Sequence, residues 1–257
     1  MTFTPGITHA ATRGWMYAIS GQNLCVVREP ELAIPVTDAN GALYLGDLDG
    51  APCFTTLVDT PPHGTEAMPL RHLFGTLTDE EFAIAGRALG ITAWDRDHTH
   101  CGRDGTPTER SITERVRTCP ACGLGVYPRL SPAVIMLVER AGTCLLARNA
   151  RTKMPFFSTL AGFVEVGETL EHAVAREVHE EAGIVISDIA YFGSQPWPFT
   201  SSLMIGFTAK WVSGEIQADP TEIMDAAWFS PDELPTIPPK LSIARALIDG
   251  FVNSTPR

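Results

Sequence analysis

The chain has no apolar run long enough to cross a membrane, no basic segment leading into an apolar core near its N-terminus, and no repeat or low-complexity tract. These absences argue against a spanning or secreted protein and set the expectation of a cytoplasmic one without membrane partners. Positive charge is also scarce, with 19 Lys plus Arg against 30 Asp plus Glu, a formal charge of −11 over 257 residues. Such a surface does not attract phosphate backbones by charge alone, which weighs against a general nucleic-acid binder. It suits a protein that recruits divalent cations. Charged residues make up only 19% and hydrophobic residues 44%, which excludes a disordered or collagen-like chain. The length allows one or two domains of ~100–200 residues. Cysteines number six: Cys25, Cys53, Cys101, Cys119, Cys122 and Cys144. In a reducing compartment a CxxC pair reads as a metal or redox site rather than a disulfide.

Short strand-like stretches fill the first part of the chain (Trp15–Ser20, Leu24–Val27, Ala42–Leu45, Phe54–Val58), separated by Gly, Pro and Asn turns. Thr78 and Glu81 form a capping box ahead of Phe82, Ala85 and Leu89 at helical spacing. Residues 96–129 hold three of the cysteines and many turn residues. Beyond them, Ala133–Val138 and Thr143–Ala147 predict a hairpin, and Phe156–Val164 a further strand. A helix is expected over Thr169–Glu181, stopping at Gly183. Leu203–Val212 and Ala226–Phe229 follow as strands, Pro231–Pro239 as a stiff linker, and a last helix from near Ser242. The organisation expected is an N-terminal α/β domain (1–95), a small cysteine module (96–129) and a C-terminal α/β domain (130–257).

The helix 169–182 carries the strongest signal. At ~100° per residue, Leu170, Ala173, Val174 and Val178 share one stripe. Glu177 and Glu181 fall inside that stripe and Glu180 at its edge, while His172, Ala175 and His179 lie opposite. Unpaired carboxylates on a core-facing stripe need a compensating cation. Carboxylates at i, i+3 and i+4 form an oxygen cluster suited to Mg²⁺ or Mn²⁺. The plainer reading, a charged helix making surface ion pairs, conflicts with this phase. Upstream, Gly162 and Gly167 bracket Phe-Val-Glu-Val, where backbone can approach a ligand and the helix N-terminus offers N–H groups to phosphate.

Taken whole, GFVEVGETLEHAVAREVHEEAGI resembles the box of the Nudix hydrolases at every specified position, from Gly162 through Glu168, Arg176-Glu177 and Glu180-Glu181 to Gly183-Ile184. The resemblance implies an α/β/α sandwich with a mixed sheet and metal-dependent cleavage of a pyrophosphate. It assigns Glu177, Glu180 and Glu181 as catalytic metal ligands, one of them orienting the water, and adds the main-chain carbonyl of Ala161 and, later, Glu222 as metal ligands. Arg176 on the flank is expected to hold a ligand carboxylate in bidentate fashion.

Downstream, Ser194-Gln195-Pro196-Trp197-Pro198-Phe199, Thr200-Ser201 and Ser202-Leu203-Met204 resemble the signature of the NADH pyrophosphatase subfamily. The stretch reads as a loop stiffened by two prolines, with aromatic stacking faces and Gln and Ser hydrogen-bonding groups. The resemblance implies splitting of NADH or NAD⁺ into a nicotinamide mononucleotide and AMP, by a homodimer. It marks Gln195, Pro196, Trp197, Pro198, Phe199, Thr200, Ser201 and Ser202 as substrate-binding, together with Arg71, Glu114 and Ala244. Tyr127 and Phe163 correspond to aromatics that sandwich a base. Removal of NAD caps from RNA uses the same bond, and Arg103, Arg110, Arg115, Arg117 and Arg129 offer a local basic surface for the RNA. Hydrolysis of ADP-ribose or nucleotide sugars is the alternative reaction, and a non-catalytic binding module the alternative class.

The subfamily carries a zinc ribbon of two CxxC knuckles. Here the second knuckle is Cys119-Pro-Ala-Cys122, but the first reads Cys101-Gly-Arg-Asp104. Two explanations stand at this point: a Cys₃Asp zinc site, or a module that has lost its metal and is held by apolar contacts. His98 and His100 are nearby spare donors. Cys25, Cys53 and Cys144 read as buried thiols.

Overall fold

The computed structural model describes residues 1–27, 33–150 and 155–254, and separates into two compact units, 1–129 and 130–257. In the first unit, β1 (Phe3–Pro5), β2 (Gly14–Ser20), β3 (Asn23–Val27), β4 (Ile34–Val36), β5 (Leu43–Leu48), β6 (Ala51–Leu57) and β7 (Thr65–Met68) make one sheet in the order β1-β5-β6-β2-β3-β7, with β4 paired to β2. Helix α1 (Asp79–Asp97) packs on it. Its capping box forms as expected: Thr78 N–H donates to the Glu81 carboxylate at 2.9 Å, and Glu81 N–H donates to Thr78 Oγ1 at 3.3 Å. Inside, Thr55 Oγ1 of β6 meets Thr92 Oγ1 of α1 at 2.8 Å and donates to the Tyr17 carbonyl, so these buried hydroxyls are satisfied. The same unit contains a three-stranded sheet of β8 (Glu109–Arg110), β9 (Arg117–Thr118) and β10 (Gly125–Val126), in the order β10-β9-β8.

The second unit is an α/β/α sandwich. Strands β11 (Ser131–Arg140), β12 (Thr143–Asn149), β13 (Leu160–Phe163), β14 (Val185–Trp197), β15 (Ser202–Ser213) and β16 (Ile223–Phe229) form one sheet in the order β14-β15-β11-β12-β16, with β13 antiparallel to β11. The sheet is mixed because β11 and β15 run parallel while the other pairs are antiparallel. Helices α2 (Leu170–Ala182) and α3 (Ile243–Ser254) cover opposite faces. The period-two alternation of β11 divides the core between them. Val134, Met136 and Val138 pack with Ala173, Val174 and Val178 of α2, whereas Ile135 and Leu137 pack with Leu247, Ile248 and Phe251 of α3.

Three expectations need correction. The strand expected over Phe156–Val164 is shorter, because Ser158 bridges to Ala147 of β12 before Leu160–Phe163 turns to pair with β11. The segment Pro231–Pro239 does more than link: it contains a 3₁₀ turn over Pro231–Glu233, and Leu234 and Ile237 pack into the core beneath α3. The proline-rich stretch at 194–197 is not a loop but the end of β14, where Gln195 pairs with Met204 and Trp197 with Ser202. A strand can hold Pro196 because β14 is the sheet edge, where an absent N–H need not break a ladder.

Candidate functional site

Helix α2 starts where Thr169 Oγ1 accepts the His172 N–H at 3.2 Å and ends at Gly183, whose φ of 72° is left-handed. These caps fix the phase of the helix and so the direction of its acids. Glu177 and Glu181 are buried, Glu180 is exposed, and His172 and His179 face solvent. The expected inversion of polarity is therefore present.

Arg176 organises the rim. Its Nε and Nη2 donate to the two oxygens of Glu168 at 2.7 and 2.9 Å, its Nη1 donates to Glu177 and Glu180 at 2.8 Å each, and Nη2 also reaches the Phe163 carbonyl at 2.9 Å. The bidentate contact falls on Glu168 rather than on a core-facing acid. That pairing, with the Glu165 N–H, holds the Glu168 carboxyl down at about 2.

The buried pair is driven the other way. Burial raises the Glu177 carboxyl, and Arg176 only partly offsets it. Glu181 is pushed up to about 8, first by burial, then by the charges of Glu177 and Glu222, against a lowering contact with the Ala161 backbone. Glu181 Oε2 is buried with no hydrogen-bond partner among the described residues. A Cβ on Gly162 would lie on top of the Glu177 carboxylate, so only glycine lets β13 and this acid approach so closely. The structure thus brings Ala161, Phe163, Glu177, Glu180 and Glu181 together around α2 and β13, with Glu222 near enough to act on the buried acids.

The remaining expected positions fall elsewhere in each unit. Gln195 has both ends of its amide engaged: Nε2 donates to the Leu241 carbonyl at 2.7 Å, and Oε1 accepts the Ile243 N–H at 2.8 Å. It ties the end of β14 to the start of α3. The Ala244 side chain is buried, so what it can offer a ligand is the backbone N–H of a first helical turn. Ser202 is buried, with Oγ 2.8 Å from Thr200 Oγ1; Pro198–Ser201 form the turn, and the Trp197 and Phe199 rings meet edge-to-face at 5.0 Å. Phe163 is an exposed ring. In the first unit, Tyr127 is 56% exposed and its hydroxyl donates to Glu114 at 2.9 Å. Arg71 is exposed on the 3₁₀ turn Leu70–Leu73.

The cysteine module consists of two matching knuckles. Gly105 N–H donates to the Cys101 carbonyl and Gly123 N–H to the Cys119 carbonyl, both at 2.9 Å, with glycine φ values of 77° and 73°. Ligand atoms of Cys101, Asp104, Cys119 and Cys122 all lie within 4.8 Å of one another. Cys101 Sγ is 3.7 Å from Cys122 Sγ, and Cys119 Sγ is 3.7 Å from each Asp104 oxygen. A tetrahedral ion with ~2.3 Å bonds to sulfur requires edges of roughly 3.8 Å, so the spacing fits zinc. The Thr106 N–H, donating at 3.0 Å, helps keep the Asp104 carboxyl well below the usual range and therefore ionised for a cation. Burial works against the Cys119 thiol, but the Cys122 and Ala121 N–H groups hold it below its ordinary value. One ring nitrogen of His98, Nδ1, is engaged 2.7 Å from the Trp94 carbonyl.

The arginines expected to form a basic surface are largely consumed. Arg117 is buried on Asp95 and Thr108, Arg110 pairs with Asp95 and the Gly41 carbonyl, and Arg115 reaches the Gly6 and Tyr44 carbonyls. Arg103 and Arg129 are left exposed, with no ion pair among the described residues.

Models of three domain families match the chain in series: the NADH pyrophosphatase-like rudimentary NUDIX domain over 12–94, the NADH pyrophosphatase zinc ribbon domain over 96–127 and the NUDIX domain over 128–250. The chain is also 44% identical to the NAD-capped RNA hydrolase NudC of Deinococcus radiodurans over 213 residues, covering 80% of this chain and 76% of that one. It belongs to the NADH pyrophosphatase group of the Nudix hydrolases. The NudC of Pseudomonas entomophila is 38% identical over 260 residues, 94% of this chain and 90% of that one. A crystal structure of a NUDIX hydrolase from Nitrosomonas europaea matches with a TM-score of 0.52 at 22% identity, covering 60% of this chain and 90% of that one, which supports the fold.

Nudix hydrolases of this group imply divalent metal at the box and zinc in the ribbon, and the residues here fit both. The partnerless Glu181 oxygen and the two raised carboxyls are what a hard cation would satisfy. Three thiols and an ionised carboxylate gathered within 4.8 Å of one another suit zinc. The roles of Arg176 toward Phe163 and of Gln195 toward α3 have no local sequence signal, because each joins segments distant in the chain.

Proposed function

We propose that this enzyme hydrolyses the pyrophosphate of NAD(H) to a nicotinamide mononucleotide and AMP, and that it removes NAD caps from RNA 5′ ends. The observation that carries the reading is the buried Glu177–Glu181 pair beside Arg176, with one Glu181 oxygen lacking a partner among the described residues. Support comes from relatives named NAD-capped RNA hydrolase at 38–44% identity over most of the chain.

In this reading Glu177, Glu180, Glu181, Glu222 and the Ala161 carbonyl hold Mg²⁺ or Mn²⁺, and Cys101, Asp104, Cys119 and Cys122 hold zinc. When bound there, a divalent ion would supply charge neutralisation for phosphate oxygens and a lowered pKa for a water. The chain's own residues do the rest. Arg176 keeps Glu177 and Glu180 from swinging apart. Glu180, exposed yet tethered by that guanidinium, orients the water and takes its proton. A P–O bond forms to the water oxygen as the bond to the bridging oxygen breaks, which leaves two phosphate monoesters. Tyr127 in the first unit and Phe163 in the second are each an exposed ring able to stack on a base, and the edge-to-face pair Trp197–Phe199 shapes the turn after β14.

We further propose that the working unit is a homodimer, as the resemblance to the NADH pyrophosphatases implies, and that it works in the cytoplasm. No described helix is long and apolar enough to cross a membrane. Incubation with NADH and Mg²⁺ or Mn²⁺ should yield a mononucleotide pair, and NAD-capped RNA should lose its cap. Products other than a mononucleotide pair would refute the main reading, and intact caps would remove the RNA activity. A monomer in sedimentation at assay concentration would remove the dimer.

A further inference from the structure

We propose that Trp94 and Asp95, at the end of α1, are positioning residues for the substrate-stacking ring of Tyr127. The inference rests on the proposed contact between Tyr127 and substrate.

Each strand of the ribbon's sheet hangs from these two consecutive residues. Trp94 Nε1–H donates to the Val126 carbonyl in β10 at 3.1 Å. Asp95 accepts from Arg110 of β8 at 2.7 and 2.5 Å, and from Arg117 of β9 at 2.5 Å. Trp94 and Asp95 are 6% and 8% exposed and Arg117 is buried as well, so the Asp95–Arg117 contact is shielded from water, while Arg110 closes over Asp95 from the exposed side. Arg117 is also fixed by Thr108, whose hydroxyl and carbonyl it meets at 2.9 and 3.0 Å.

Tyr127 stands at the end of this arrangement. It follows Val126, whose register partner is Arg117, so both sides of the last rung are pinned to α1. Its hydroxyl donates to Glu114, which sits in the connection between Arg110 and Arg117. The backbone of the ring and the acceptor of its hydroxyl are thus held by the same pair. An exposed tyrosine left to itself would sample several rotamers and lose binding on ordering. A carboxylate shared by one buried and one exposed guanidinium is a poor source of stability compared with apolar packing, and a better source of fixed geometry.

The test is a double-mutant cycle on NADH hydrolysis, read as KM and kcat separately. Tyr127→Ala should raise KM roughly tenfold with little change in kcat, as loss of one stacking face does. Trp94→Phe keeps a ring but deletes the donor, and should raise KM about threefold in the native background. In the Tyr127→Ala background it should raise KM no further, because the group it positions is gone. An equal rise in both backgrounds, or no rise where Tyr127→Ala has one, overturns the positioning role alone. If Tyr127→Ala itself leaves KM unchanged, the stacking contact falls and this inference with it. Should Trp94→Phe fail to fold, Arg110→Lys, which keeps the charge but loses the fork on Asp95, is run through the same cycle with the same expected outcomes.

Discussion

In Glu181→Gln, a neutral amide of the same shape replaces a carboxylate that is 4% exposed, has one oxygen without a partner among the described residues and is pushed up to about 8 by burial. Its ordinary value is 4.5, so the native state binds a proton that the unfolded chain has already released over the interval between the two. The stability this carboxyl contributes is fully present below 4.5 and is lost as pH rises through about 8. At ~1.4 kcal/mol per pH unit, the loss for metal-free protein reaches ~3 kcal/mol at pH 7. A glutamine cannot ionise, so this part of the pH dependence should disappear. The assay is urea unfolding at pH 5, 6, 7 and 8 with no Mg²⁺ or Mn²⁺ added. Tryptophan fluorescence is a suitable probe, since Trp197, Trp211 and Trp228 belong to this unit. The native protein should weaken steadily up the series and recover at pH 8 when Mg²⁺ is supplied. The variant should lose this slope and the Mg²⁺ response, along with its hydrolytic activity. A variant that keeps the native pH slope would refute the reasoning, because the unpaired charge would then lie elsewhere.

Gly162→Ala should abolish metal-dependent hydrolysis while denaturant titration shows little loss of stability, because the new methyl displaces the Glu177 carboxylate, the movable end of a side chain, rather than backbone. Arg176→Lys should lower kcat/KM by about 10–100-fold in steady-state assays, since an ammonium cannot span Glu168, Glu177, Glu180 and the Phe163 carbonyl at once. Asp104→Cys should retain one zinc per chain by elemental analysis, and Asp104→Ala should lose most of it; equal zinc in both variants would exclude Asp104 as a ligand.

Much of the catalytic unit was legible because its signals are local. The phase of Glu177 and Glu181 against Val174 and Val178, the cap at Thr169 and the stop at Gly183 all lie within one helix. The β11–β12 hairpin and the paired knuckles are likewise contained in short spans. What escaped depends on distant partners or on position in the sheet. Strand β14 is broken in sequence by Asp188, Gly193 and Pro196, and only its place at the edge makes those residues tolerable. The five arginines of the cysteine module looked like a basic surface until Asp95, 15 and 22 residues before Arg110 and Arg117, proved to hold two of them. The tie of the Gln195 amide to backbone 46 and 48 residues away likewise has no local signal.

The interruptions in β14 also bear on how the protein stays apart from its neighbours in a crowded cell. At 13 residues it is the longest strand among those described, and one flank of it is an open edge. A flat ribbon of that length would present a ladder of unpaired amides onto which another unfinished chain could add, leading to aggregates. Three register shifts, a left-handed Asp188 at φ 51° and the missing N–H of Pro196 leave no long uninterrupted template. Smoothing this strand toward ideal β sequence would tighten its pairing with β15 and at the same time make the chain more prone to precipitate during synthesis.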